Sequence, residues 1–365
     1  MSRKLPGLVA VGCVGLCLLT MACNGRRPSS SSVAPAIPPG QPASGPGGRD
    51  YPHAKVISAR FETGGDEYWL FQPADPEPDE APVVVFLHGF GAVEPCPYGA
   101  WIQHIVRKGH IVIYPRYQAS VLSSIAQMPD NALGAVQSAL DRLGRDGPVR
   151  PRSDKMAWVG HSFGGMLAAN LSAGSVGGAL PPPAVLMLVE PGGTRNFEVA
   201  SLAGLPVDTL ALLILGDADD LVTEQDVQPF VTALSELPGG QAEMITIRSD
   251  LRGSTPLVAD HFAPLAVDDG FGPAQADAGA GRRRREWRRR LQSTSLLTQA
   301  LEQSDAPPDT LDFYGYWKLL DGLVDAVFRG RNREFALGNT DAQRFMGVRS
   351  DGTAVTPLQV QSLGP

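Results

Sequence analysis

The sequence predicts an α/β protein built on a mostly parallel, doubly wound sheet that opens with an antiparallel hairpin. Three observations carry this. Val56–Phe61 and Tyr68–Gln72 read as two strands joined at Gly64-Gly65, a hairpin signal. Later apolar runs are continuous rather than alternating, as strands buried on both faces should be. Stretches with helical spacing separate those runs, and repeated strand–helix units imply parallel strands with helices on both faces.

Pro82–Leu87 is the first buried strand, followed by a short helix over Gly99–Lys108 and a strand at His110–Tyr114. Pro129–Leu143 places Leu133, Val136, Leu140 and Leu143 on one helical stripe, with Gly144 as its stop. The strand Lys155–Val159 runs into a glycine-rich turn, and Gly165–Leu171 leaves it as a helix. Strands at Ala184–Val189 and Thr209–Leu215, a helix at Val227–Leu237 and a closing strand at Glu243–Ile247 follow. Phe313, Trp317, Leu320, Val324 and Val327 mark a last helix. The tail from Gly338 carries few apolar residues at regular spacing. With no internal repeat, residues 51–365 are expected to form one domain. A chain of 365 residues with 43 % hydrophobic content can bury a sizeable core, and a net charge of −7 gives no general signal for nucleic acid.

The amino terminus carries an address. Arg3 and Lys4 precede an apolar run from Leu5 to Ala22, the layout of an export signal over residues 1–23. Leu19-Thr20-Met21-Ala22-Cys23 resembles a bacterial lipoprotein signal, which makes Cys23 the lipidation candidate; Thr20 and Met21 depart from the usual pattern. Residues 24–50 are rich in Pro, Ser and Gly and are expected to be a flexible tether. The protein is therefore expected outside the cytoplasm, secreted or held to the envelope through Cys23. Cys13 and Cys17 fall inside the signal, so Cys23 and Cys96 imply no disulfide framework.

Gly160-His161-Ser162-Phe163-Gly164 sits between strand and helix, the layout of a nucleophile elbow. In a chain with 41 glycines the bare pentapeptide is weak evidence, so the rest of an acyl-transfer site has to be sought. One oxyanion donor should be the backbone N–H of Phe163, just after the serine. The other should be that of Phe90, in the loop His88-Gly89-Phe90-Gly91 after a buried strand. The glycines at 89, 160 and 164 let these turns close. The orienting acid should follow a later strand, where Asp217, Asp219 and Asp220 compete. Asp219 is favoured by its phase in the loop, leaving the other two as solvated charges or caps. The base must come last, and only His261 follows both Ser162 and Asp219. Its neighbour Asp260 is a poorer acid, since an adjacent side chain seldom lines up with the ring nitrogen.

On these residues the chain resembles the α/β-hydrolase superfamily over roughly residues 54–335: His88-Gly89-Phe90, Gly160–Gly164, Gly216-x-x-Asp219-x-x-Val222 and His261-Phe262, in the order nucleophile, acid, histidine. The loop Asp260–Pro264 is similar to that of cutinase-like polyester hydrolases, while His88-Gly89-Phe90-Gly91 is closer to dienelactone-hydrolase-like and chlorophyllase-like branches. The resemblance implies an esterase or lipase that needs no cofactor and acts on a small-molecule or lipid-like ester. Thioesterase and acyltransferase activities share the same residues, and a non-catalytic binding protein on this fold is the reading from another class. No metal site and no nucleic-acid partner is expected, and the chain is expected to be a monomer. Residues 265–308 read as an insertion containing the basic run Arg282–Arg290 around Trp287, either solvated or in contact with an anionic surface. Phe90, Phe163, Phe262 and Trp101 are candidates for an apolar pocket or for core packing.

Overall fold

The computed structural model describes residues 36–61, 67–119, 122–178, 180–268, 270 and 307–364. The export signal, Cys23, the turn at Gly64-Gly65 and the run Arg282–Arg290 lie outside these residues. The described strands are β1 (Lys55–Phe61), β2 (Tyr68–Ala74), β3 (Glu80–Leu87), β4 (Ile111–Pro115), β5 (Arg150–His161), β6 (Val185–Val189), β7 (Leu210–Gly216), β8 (Ala242–Ile247) and β9 (Gln359–Ser362). They form one sheet in the order β1-β2-β4-β3-β5-β6-β7-β8-β9. β1 pairs antiparallel with β2, and β2 with β4; from β4 to β8 every neighbour is parallel, as in Val84↔Val112 and Ala157↔Val185.

Alternation within the buried strands splits the core in two. On β3, Val84 and Phe86 lie on the side of the sheet that α1 (Gly99–Arg107) and α5 (Trp317–Arg329) cover, while Val83, Val85 and Leu87 lie on the side that α2 (Met128–Asp146), α3 (Phe163–Ser175) and α4 (Glu224–Ser235) cover. All five side chains are fully buried. Each contributes about 1.5–3 kcal/mol, which offsets the entropy of ordering an extended segment. A strand covered on both faces has no polar side to show, which is why these runs are continuously apolar.

Four expectations need correction. Gly144 does not end its helix: α2 runs on to Asp146 and stops at Gly147, which has extended backbone. A Cβ at Gly144 would meet nothing within 4 Å, so the residue faces open space. A solvent-side glycine costs a helix about 1 kcal/mol, which is too little to end one by itself. The sheet does not close at β8 either, because β9 from the tail pairs antiparallel with it, Ile245 opposite Val360. Irregular tail residues are held by polar anchors: Arg349 meets Asp250 at 3.1 Å with both side chains fully buried, and Lys318 donates to the carbonyl of Gln343 at 2.7 Å.

Nor are residues 36–50 a free tether. The Gly47 N–H donates to Asp321 at 2.8 Å, and Thr310 Oγ1 donates to the Pro39 carbonyl at 2.7 Å. Backbone hydrogen bonds to distant elements fix this segment, which composition alone does not reveal. Finally, Leu265 and Ala266 belong to the core, and the N–H of Ala266 donates to the Pro97 carbonyl at 2.8 Å, so the body extends past 265.

Candidate active site

Ser162 lies between the end of β5 and the first turn of α3. Its backbone has φ 54° and ψ −125°, a region that L-residues avoid. The turn is tight enough to exclude side chains beside it: a Cβ at Gly160 would lie 2.2 Å from the Gly164 carbonyl oxygen, and one at Gly164 would lie 2.1 Å from that of Leu87. Sequence places both glycines where β5 must pass α3 and β3 at backbone distance. The strained turn lifts the hydroxyl to the head of α3, whose first N–H groups have no intrahelical acceptors.

The structure brings Ser162, His261 and Asp219 together. His261 Nε2 lies 2.9 Å from Ser162 Oγ, and His261 Nδ1 lies 2.8 Å from Asp219 Oδ2. The other oxygen, Asp219 Oδ1, accepts the N–H groups of Leu221 at 2.8 Å and Val222 at 3.0 Å. Burial pushes the Asp219 carboxyl up, but the hydrogen bond and charge of His261 and the two N–H donors outweigh it and leave it below its ordinary pKa. Asp217 instead binds Arg248 and Ser249, each at 2.8 Å, and Asp220 is exposed. Asp260 accepts the N–H of Phe262 at 3.0 Å.

In the loop after β3, the Gly89 N–H donates to Tyr98 Oη and the Gly91 N–H to Gln118 Oε1, both at 2.9 Å. The intervening Phe90 N–H is left as the loop's available donor among the described residues. Phe163 provides the other as the first residue of α3. His88 is stacked on Tyr117 at a centroid distance of 4.1 Å, and burial lowers its pKa to about 3. Of the apolar candidates, Trp101 is core, fully buried and 5.2 Å from Phe86. Phe163 is buried, Phe262 is half-buried beside His261, and Phe90 remains 44 % exposed.

Glu190 was not anticipated. It follows β6 with φ 45° and is fully buried. Its Oε1 accepts from Tyr316 Oη at 3.1 Å; its Oε2 lies 3.5 Å from His161 Nε2 and 4.0 Å from His261 Nδ1 and is hydrogen-bonded to neither. Burial pushes this carboxyl well above the usual range, and the nearby Asp219 charge pushes it the same way. A carboxyl whose folded pKa is raised stabilises the fold fully below its unfolded value, near 4.5, and loses that contribution as pH rises through the folded value. Glu190→Gln, which has no proton to lose, is therefore expected to gain on the wild type above pH 4.5, by up to about 1.4 kcal/mol per pH unit. Melting temperatures of both proteins from pH 5 to 9 check this; parallel curves would show that Glu190 stays ionised. The sequence signal was slight: one acidic residue directly after an apolar strand and before Pro191-Gly192-Gly193.

Comparison with known proteins gives one family match. The model of the Chlorophyllase family matches residues 69–198, a stretch that contains Ser162 and ends before Asp219 and His261. Two solved fungal structures are also similar. An esterase from Rhizomucor miehei is 16 % identical, with a TM-score of 0.43 over 55 % of this chain and 76 % of that one. Carboxyl esterase 2 from the mycorrhizal fungus Tuber melanosporum is 19 % identical, with a TM-score of 0.42 over 54 % and 77 %. No curated protein matches the chain.

Proposed function

We propose that this chain, an α/β-hydrolase by fold, is a serine carboxylester hydrolase that works outside the cytoplasm. The observation that carries the reading is the unbroken line Ser162 Oγ, His261 Nε2, His261 Nδ1, Asp219 Oδ2, with contacts of 2.9 and 2.8 Å. His261 takes the proton of Ser162 as the hydroxyl oxygen attacks the ester carbonyl. The N–H groups of Phe90 and Phe163 receive the oxyanion, and Asp219 holds the ring in the tautomer that leaves Nε2 open. The alcohol departs with the proton from His261. Water then repeats the sequence on the acyl-enzyme.

Wild-type protein is expected to be labelled by a fluorophosphonate and to hydrolyse aryl acyl esters, while Ser162→Ala does neither. A wild type that neither labels nor hydrolyses a panel of rising acyl chain length would leave a non-catalytic binding protein as the better reading. The export signal and Cys23 support attachment to a membrane through lipid. Cys23→Ala is then expected to move from the membrane to the soluble fraction after cell lysis. Continued membrane partitioning would count against the lipid anchor.

A further inference from the structure

We propose that Tyr98 and His161 form a positioning relay that keeps the oxyanion loop, the serine turn and the His261 loop in one register. The proposal rests on the reading of Ser162 as nucleophile and goes beyond it to the residues that set the site's geometry.

The direction of every bond in the relay is fixed by chemistry. The Gly89 N–H can only donate, and it donates to Tyr98 Oη at 2.9 Å. The phenol has a single proton left to give, and the next polar atom is His161 Nδ1 at 2.8 Å. That makes Nδ1 the acceptor and puts the imidazole proton on Nε2. His161 Nε2 lies 2.9 Å from the backbone carbonyl of His261, an obligate acceptor. One consistent tautomer thus satisfies the whole chain, from the loop that carries Phe90 to the loop that carries the proposed base.

Burial makes the relay stiff. Tyr98 is 1 %, His161 2 % and His261 5 % exposed. So little exposure shields these bonds from bulk solvent, and an unpaired member would cost about 1–3 kcal/mol. Desolvation lowers the His161 pKa to about 3, so the ring stays neutral and the relay keeps its direction at working pH. The fit is close on the loop side as well: a Cβ on Gly89 would lie 3.1 Å from Tyr98 Oη and 3.2 Å from His161 Nδ1. The same bookkeeping removes a rival reading. His161, Glu190 and His261 offer ligand atoms within 4.8 Å of one another, as a metal site would. Both His161 nitrogens are already committed, and His261 spends Nδ1 on Asp219 and Nε2 on Ser162, so neither ring has a free lone pair to join the Glu190 carboxyl in holding a metal.

Neither relay residue touches the reacting atoms, so its effect must pass through placement. A misplacement of about 1 Å between reacting groups costs about 100-fold in rate. Three variants separate the possibilities. Tyr98→Phe removes one oxygen and little else. His161→Leu removes both bonds. His161→Gln keeps a donor at the reach of Nε2 and so keeps the bond to the His261 carbonyl. We expect kcat on an aryl ester to fall about 10-fold for Tyr98→Phe and about 100-fold for His161→Leu, with KM within about twofold. His161→Gln should recover at least about 10-fold over leucine. The double variant Tyr98→Phe with His161→Leu should be no slower than His161→Leu alone, because that relay is already cut.

Melting temperatures measured alongside distinguish placement from folding. Wild-type kcat in Tyr98→Phe, a loss in His161→Gln equal to that in leucine, or losses that multiply in the double variant would each overturn the relay. Those results leave Ser162 labelling of the wild type intact. Absence of that labelling would strike the nucleophile reading itself, and the purpose of the relay with it.

Discussion

Ser162→Gly is expected to lose activity and gain stability at once. The hydroxyl is the proposed nucleophile, and removing the nucleophile of such a set lowers kcat by about 10⁴–10⁶-fold. The stability gain has a separate origin. Ser162 holds φ 54° and ψ −125°, a conformation that costs a residue with a Cβ about 1–3 kcal/mol. Glycine adopts it freely, at an entropic cost of about 0.5–1 kcal/mol, so a net gain on the order of 1 kcal/mol should remain. Ser162→Ala keeps the Cβ and should be equally inactive without the gain. Thermal melts of the three proteins, read beside their ester hydrolysis rates, make the comparison. Equal melting temperatures for glycine and alanine would mean that the turn at Ser162 stores no strain.

What the sequence made legible follows from how local its cause was. The strands from β3 to β8 could be read because burial on both faces leaves no alternative to continuous apolar side chains. The serine turn could be read because a Cβ at Gly160 or Gly164 would come within about 2 Å of a backbone carbonyl oxygen, which admits no other residue. His261 could be read by chain order alone. Features set by long-range partners were not legible. β9 is four residues, Gln359–Ser362, and takes its place from the exposed edge of β8 rather than from any pattern of its own. Residues 36–50 have the composition of a tether and are ordered by acceptors and donors such as Asp321 and Thr310. Glu190 and Tyr98 matter only because the sheet order brings β6 and the turn at Cys96–Tyr98 beside the serine. No spacing along the chain encodes that neighbourhood.

Asp219→Asn is expected to be more damaging than Asp219→Ala, although asparagine is the closer copy. The reason lies in the two carboxylate oxygens. Oδ1 accepts two backbone N–H groups, from Leu221 and Val222, and Oδ2 faces His261 Nδ1. An asparagine here has one oxygen and one amide nitrogen to distribute. Two fixed donors hold the oxygen at the Oδ1 position, because the reverse arrangement would set the NH₂ group against both of them. The amide nitrogen then points at His261 Nδ1 and donates to it. That forces the proton onto Nε2, where the ring can no longer accept from Ser162. Loss of the correct tautomer in a triad of this kind costs about 10⁴-fold in kcat. Alanine removes the orienting bond without imposing the wrong one, so the ring samples both tautomers and should lose about 10- to 100-fold less. Asp217→Asn and Asp220→Asn, whose carboxylates do not meet His261, should stay within about twofold of wild type. Rates of aryl ester hydrolysis for the four variants decide it. If Asp219→Asn is as active as Asp219→Ala or more so, the hydrogen bonds of Leu221 and Val222 do not govern the orientation of residue 219.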